Sequence, residues 1–391
     1  MVPSVNKGSK WSTYVVFAAF GGAASWFGTS LCFMQIPTYQ KYFGLELSNR
    51  LEIGYNLGTI PCGLFLLLRP QWRSCWYLVV IQGLSVFMLC LAVPGSPFFS
   101  EKSLAVATFL SGAVGYSAQF TAVPWLMRFE NELVGAFWAG DSFTAVLAAL
   151  MVLLQRPKEP RFGLLAYMIV CGLPVVVTSA IALYIIETTN IGRLPPEDEK
   201  PSLEEEDLLI IDADAVVVVK PKPYLRQSQT WRLGAVCFWS QFADWGLGDS
   251  LYPYACANAT RRVGRCELWT NELSLLTQLL GLALASKIRF KPTHLLFILW
   301  LPVLVYTFLF FLLLAMAYST SIFDDRSVVA VMALLRFLGP YTRNVVPRLI
   351  QPLYPKTDHE NVPLFFGLLS ILGNIIGGAT ATALIRLTYP Y

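Results

Sequence analysis

The chain has 391 residues, of which 55% are hydrophobic and 14% are charged, and its formal net charge is +4. Soluble domains carry roughly 25% charged residues, so this composition excludes a soluble enzyme or binding module and indicates a polytopic membrane protein. The small net charge gives no reason to expect nucleic acid as a partner.

Apolar runs, each about one membrane thickness long, follow one another along the chain. A hydrocarbon core of roughly 30 Å needs about 20 residues of helix, and only helices or closed barrels span lipid. The runs lack the alternation of strands, which favours helices. We therefore predict an all-α protein with eleven transmembrane helices. They fall at residues 12–36, 51–69, 75–95, 103–127, 133–155, 163–186, 232–256, 267–286, 293–317, 327–351 and 362–388.

One long polar insert, residues 187–231, divides the eleven runs into six and five. It contains Pro195-Pro196 and a run of acids from Glu204 to Asp207, a composition typical of a disordered linker. The predicted organisation is a six-helix N-terminal bundle (1–186), an acidic cytosolic linker (187–231) and a five-helix C-terminal bundle (232–391). The two bundles are expected to surround a central cavity.

Charge and a sequon predict the orientation in the membrane. More of the Lys and Arg residues fall in cytosolic segments if the N-terminus is cytosolic. Asn258, in the sequon Asn258-Ala259-Thr260, is then a glycosylation candidate on the outer side. Cys256 and Cys266 flank that loop and are candidates for a disulfide in an oxidising compartment. We expect an integral protein of the plasma membrane, in contact with the lipid bilayer.

Signatures of catalysis and of ATP-driven transport are absent from the sequence. It contains two histidines, His294 and His359, too few for a metal cluster or for a His-based triad to be indicated. It has no Walker A motif and no arginine ladder of a voltage sensor. We expect no enzyme activity, no cofactor and no metal. The function class that is left is a gradient-driven or facilitative carrier.

Ionisable side chains within the spans are candidate functional residues, because such groups are costly in lipid and face a cavity or a partner. Pairing of Arg343 with Asp141 or Asp249 has two interpretations. It is either a link between the halves that forms in one state and breaks in another, or a static ion pair that fixes helix packing. Arg336 is expected on a wet helix face, and Glu272 is expected to extend to the outer interface.

Short motifs in the first half resemble the animal riboflavin transporter family. Ala24-Ser25-Trp26 and then Ser30 to Pro37 resemble the family's Gly-Ser-Trp and Asn-Gly-x-Trp-Val-Glu-Leu-Pro. Asn56-Leu57-Gly58 resembles its Asn-Leu-Gly, and Ser117 to Leu126 resembles its Thr-Ser-Asn-Val-Thr-Phe-Leu-Pro-Phe-Leu. The order and spacing of these short motifs carry the resemblance.

The resemblance continues through most of the chain. Phe137 to Ser142 falls where the family has Phe-Phe-x-Gly-Gln-Gly, Asp249 to Pro253 where it has Asn-Gly-x-Leu-Pro, and Tyr341-Thr342-Arg343 where it has Tyr-x-Lys. The chain also departs from the family. Residues that differ from the family pattern are Ser30 for Asn, Phe33 for Trp, Gln35 for Glu, and Asp141 and Asp249 for amides.

The resemblance implies transport of riboflavin, or of another planar polar metabolite, by alternating access between two halves. Trp26 and Phe33 would stack on the isoalloxazine ring, and amides would pair with its polar edge or the ribityl hydroxyls. The implied substrate-binding residues are Trp26, Ser30, Phe33, Gln35, Asn56, Gln119 and Thr121. The implied gating or coupling residues are Asp141, Asp249 and Arg343. The alternatives are a nucleoside-like substrate on the same fold, or a membrane receptor or scaffold that transports nothing.

Overall fold

The computed structural model describes most of the chain. The described residues are 7–24, 31–32, 34–44, 47–69, 74–155, 161–189, 191, 223–259, 263–287, 295–318, 323–355, 358–359 and 361–388.

The protein is all-α, as the length and pattern of its apolar runs predict. The helices before the acidic insert are α1 (Lys7–Ala24), α2 (Ile36–Phe43), α3 (Leu47–Leu68), α4 (Cys75–Leu91), α5 (Glu101–Leu126), α6 (Asn131–Gln155) and α7 (Leu164–Thr189). The helices after it are α8 (Ser228–Gln241), α9 (Asp249–Ala259), α10 (Val263–Lys287), α11 (Leu295–Tyr318), α12 (Asp325–Leu353) and α13 (Asn361–Thr388). A π-helical turn, Phe242–Gly248, makes α8 and α9 one continuous rod.

Where the structure describes them, the predicted apolar runs are largely helical, although the number of membrane crossings stays a prediction. Within the described residues, four segments are long and apolar enough to cross a membrane by length and composition: Glu132–Gln155, Leu164–Thr189, Leu299–Tyr318 and Asn361–Leu387. Two boundaries differ from the expectation. The short helix α2 follows the first run, and both ends of the predicted linker (187–231) are helical, since α7 reaches Thr189 and α8 begins at Ser228.

The outward faces of the bundle are apolar, as a lipid-facing surface requires. On α7, Leu173, Val177 and Ile181 are exposed at intervals of four residues, and on α11 Leu304 and Phe308 are exposed with the same spacing. Soluble monomers rarely expose apolar patches of this extent. This apolar surface supports the prediction that the protein is integral to a membrane.

The helices pack first within each half and then between the halves. α1 packs on α6 and α7, and α3 on α5, while α10 packs on α12 and α13 on α8. Across the halves, α6 packs on α10, and α13 on α3 and α5. Close approach depends on glycine, because a Cβ on Gly140 of α6 would lie 1.7 Å from the Ala18 carbonyl oxygen of α1.

The two ends of the bundle differ in how the halves meet. At the end where α8 and α13 begin, here called the linker end, one apolar cluster includes Phe17 and Val134 of the first half and Val345 and Val362 of the second. At the opposite end, here called the disulfide end, each half has its own apolar cluster.

Candidate functional site

A charged cluster lies inside the second half, on and beside the π-helical turn. Hydrogen bonds in a π-helix connect residues five apart, so Asp244 and Asp249 come to the same face of the rod. Arg336 of α12 reaches both: its guanidinium nitrogen Nη1 lies 3.4 Å from Asp244 Oδ1, and Nη2 donates to Asp249 Oδ1. The guanidinium carbon is also 3.8 Å from the centre of the Trp245 ring, a cation–π contact.

This cluster corrects one expectation from the sequence and identifies a partner of Asp249. Arg336 is 6% exposed, so the prediction that it lies on a wet helix face is wrong. Asp249, for which Arg343 was one predicted partner, pairs with Arg336 instead. The side chain of Arg343 lies outside the described residues, so its own pairing stays a prediction. Because α9 and α12 belong to the same half, the Asp249–Arg336 pair fits the static interpretation, in which the ion pair fixes packing.

Glycine residues allow the helices around the cluster to approach one another closely. A Cβ on Gly339 of α12 would lie 2.5 Å from Asp244 Oδ2, and a Cβ on Gly246 would lie 2.7 Å from the Gly377 Cα of α13. The π-helical turn is therefore pressed against both α12 and α13. Bulges of this kind are frequent at functional sites.

An amide pair joins the two halves near the middle of the bundle. Asn374 Nδ2 of α13 donates to Asn56 Oδ1 of α3 over 2.9 Å, and both side chains are buried. Gly378, one turn further along α13, would place a Cβ 3.5 Å from the Asn56 amide nitrogen. The structure thus places Asn56, a predicted substrate residue, on the interface between the halves.

Gln35 is buried at the disulfide end, where other side chains satisfy its amide. Its Nε2 donates to Gln155 Oε1 of α6 over 2.8 Å, and its Oε1 accepts from the Thr38 hydroxyl over 3.0 Å. Gln155 also donates to the Phe162 carbonyl over 3.2 Å. Gln35 therefore ties the start of α2 to the end of α6.

Two buried acids of α10 face this end of the interface. Glu267 is 0% exposed and accepts a long hydrogen bond of 3.5 Å from Gln40 Nε2 of α2, across the halves. Glu272 is 1% exposed, so the expectation that it extends to the outer interface of the membrane is wrong. Glu267 was not predicted, although an acid at the first position of a predicted span was a visible signal.

A cleft lies between the halves at the linker end, with about 530 Å³ of empty space including its open mouth. The first half contributes Val123 and Trp138, and the second half contributes the rest of the wall. The polar side chains in the wall are Ser240, Gln241, Thr342 and Ser370, and the apolar wall includes Trp138, Val346, Ile350 and Phe366. Pockets for small solutes combine apolar walls with a few polar groups in this way.

None of the predicted site residues whose side chains are described lines this cleft. Thr121 and Asp141 are buried, at 2% and 6% exposure. Trp26, Ser30 and Phe33, and the side chains of Gln119 and Arg343, lie outside the described residues. Gln241 and Thr342 could have been found from the sequence, as polar residues within apolar spans, whereas Trp138 carried no signal beyond its aromatic character.

The disulfide end contains the predicted disulfide and the residue predicted to be glycosylated. A disulfide joins Cys256 of α9 to Cys266 of α10, with their Cα atoms 5.6 Å apart. Asn258 is half-buried, and its Nδ2 donates to the Ala317 carbonyl of α11. Its glycosylation would require release of that hydrogen bond.

No family model and no curated protein matches the chain, but solved structures do. One is the crystal structure of the E. coli fucose:proton symporter FucP. It superposes with a TM-score of 0.50 at 15% sequence identity, over 96% of this chain and 91% of that chain. The likeness shows a shared fold and nothing more. At this identity it says nothing of the substrate.

Proposed function

We propose that the protein is a transmembrane transporter that works by alternating access, with the two halves rocking about the interface between them. The cleft at the linker end carries this proposal, because both halves supply its walls and its lining mixes aromatic with polar side chains. The cavity inside the cleft measures about 50 Å³, less than the roughly 300–1,000 Å³ of small-molecule sites, so the halves must separate further before a solute fits. The apolar outer surface and the fold agree with it.

The proposed substrate is riboflavin, on the resemblance to the animal riboflavin transporters, and a nucleoside-like solute is the alternative. Both are planar rings with polar edges and hydroxyl groups. Trp138 and Phe366 in the wall suit the face of such a ring, and Gln241, Thr342 and Ser370 suit its polar groups. Gln35 and Asn56 would then act on the conformational change, because their amides hold helices together.

Flux measured with purified protein in lipid vesicles tests this proposal. We expect saturable uptake of radiolabelled riboflavin that unlabelled flavins inhibit. If nucleosides inhibit this uptake more strongly than flavins do, the result would favour the nucleoside-like solute as the substrate. Vesicles that take up neither class of solute faster than protein-free vesicles would refute it and favour a receptor or scaffold.

A matched pair of variants connects that flux to the cleft. Trp138→Ala removes an aromatic wall and should raise the substrate concentration for half-maximal uptake several-fold, since aromatic contacts contribute about 0.5–1.5 kcal/mol. Phe143→Ala removes an aromatic side chain of the same helix that is 60% exposed on the outer surface. It should leave uptake unchanged. Equal effects of the two variants would contradict the assignment of the cleft.

A further inference from the structure

Glu272 lies in the interface between the halves at the disulfide end. It projects from α10, which packs on α6 of the first half. Leu268, one helical turn earlier and therefore on the same face, contacts the apolar cluster of the first half, which includes Val152 and Tyr167. Tyr167 is also close enough to interact electrostatically with Glu272. The acid therefore faces the first half.

The carboxyl group of Glu272 has no hydrogen-bond partner among the described residues, although both of its oxygens are buried. The hydroxyl of Tyr167, its neighbour in the first half, donates to the Ala148 carbonyl over 3.3 Å.

The charges on the helices around α10 do not compensate a carboxylate at this position. Among the described side chains, Arg336 of α12 is the buried cation, and it is committed to Asp244 and Asp249. The other described basic residues of α2, α10 and α12, which are Lys41, Arg265 and Arg326, are exposed. The buried titratable groups around α10 are neutral or acidic: Asp141 of α6, Tyr167 of α7, Tyr39 of α2, Tyr252 and Asp249 of α9, and Glu267 of α10 itself.

An isolated carboxylate in such surroundings is too costly to persist, and a group in this position takes up a proton instead. We propose that Glu272 is a proton-binding latch of the disulfide end. It binds one proton from water when this end of the interface closes, and it releases that proton to water when the end opens. This role rests on the proposed alternating-access function, because it assigns the opening and closing to that cycle.

The sign of the pH effect follows from this exchange. The closed form carries one more proton than the open form, so acid favours closure and base favours opening. The ratio of closed to open molecules then changes by up to about tenfold per pH unit, as linkage of one proton requires. Glu272→Gln is neutral at every pH and should remove this dependence.

Infrared difference spectroscopy of the purified protein in lipid tests the protonation without any substrate. At neutral pH the wild-type protein should show the C=O stretch of a protonated carboxylic acid, and Glu272→Gln should lose part of that band. Glu101→Gln is the matched control, because Glu101 is half-exposed in an ion pair with Arg50. It should leave the band unchanged. An identical band in wild type and Glu272→Gln would overturn the proposal.

The latch itself is tested by the distance between spin labels at Lys102 of α5 and Arg326 of α12, two exposed positions at the disulfide end of opposite halves. In the wild type the long-distance population should grow as pH rises, and in Glu272→Gln the short distance should persist at all pH values. The same pH response in both proteins, or none in either, would overturn the latch. Glu272→Leu, also neutral, should behave as Glu272→Gln and provides a second variant if Gln is not tolerated.

These readouts are independent of solute flux. A wild-type protein that moves no solute in vesicles would refute the proposed function. The infrared and spin-label results would still decide whether Glu272 is protonated and whether its protonation closes the disulfide end.

Discussion

Arg336 and Arg343 lie seven residues apart on α12, which is about two helical turns or roughly 10 Å. The sequence shows both arginines and both aspartates, but hydropathy does not encode the depth at which each side chain lies. The sequence analysis chose Arg343 as the partner of an aspartate, whereas the structure pairs Asp249 with Arg336. The presence of an ion pair in the second half was predictable, and its cationic member was not.

Removal of Arg336 should destabilise the protein strongly. Arg336→Leu leaves Asp244 and Asp249 buried without their cation, and breaking a buried pair costs about 3–5 kcal/mol. Arg50→Leu is the matched control, because the Arg50–Glu101 pair is half-exposed and such pairs contribute about 0.2–1 kcal/mol. Thermal unfolding in detergent should show a large fall in Tm for the first variant and a small one for the second. Similar shifts would contradict the buried cluster.

The amide pair between Asn56 and Asn374 should behave as one unit. Each single change to Ala removes one partner of a buried hydrogen bond, which costs about 1–3 kcal/mol. The double change removes both, so its effect on Tm should be smaller than the sum of the single effects. Additive effects in this double-mutant cycle would indicate that the two side chains do not interact.

At the scale of the helices, hydropathy predicts where the spans lie but not their irregularities. The run predicted at 133–155 is α6, Asn131–Gln155. The short helix α2 and the π-helical turn at Phe242–Gly248 were not predicted. An inserted residue in a helix leaves the average hydropathy of the span unchanged, so such a turn becomes visible only through the packing it permits. The cleft was missed for the same reason, since it depends on which faces of α8, α12 and α13 meet.

The close contact between the π-helical turn and α13 gives a prediction about glycine. A Cβ on Gly246 would meet the Gly377 Cα at 2.7 Å, whereas a Cβ on Gly83 would meet only a Val176 methyl group at 3.6 Å. Gly246→Ala should therefore lower the Tm by separating the two helices. Gly83→Ala should leave it nearly unchanged. A tolerated Gly246→Ala would show that the helices are not in contact there.

The disulfide should stabilise the turn between α9 and α10. Cys256 and Cys266 are ten residues apart, and a crosslink that closes a loop of this size contributes about 2–3 kcal/mol. Cys256→Ser and Cys266→Ser should lower the Tm equally, and a reductant should lower that of the wild type but not of either variant. A wild-type Tm that does not respond to reductant would contradict the crosslink.

For the whole molecule, composition was enough to predict an all-α membrane protein, because apolar residues had to cover both the lipid-facing surface and the helix contacts. Composition could not predict how the two halves contact each other. The halves share an apolar cluster around a cleft at the linker end. An amide pair joins them near the middle, and a long hydrogen bond from Gln40 to Glu267 joins them at the disulfide end. Such an asymmetry depends on pairings between residues more than 200 positions apart, such as Gln40 and Glu267.

The central claim is that the halves separate at the linker-end cleft to let a solute pass. A reversible crosslink between Val123→Cys and Val346→Cys, which line the cleft from opposite halves, tests it most directly in vesicles that take up radiolabelled riboflavin. Oxidation should abolish uptake and reduction should restore it, while each single variant should remain active under both conditions. Full uptake with the crosslink formed would contradict the account.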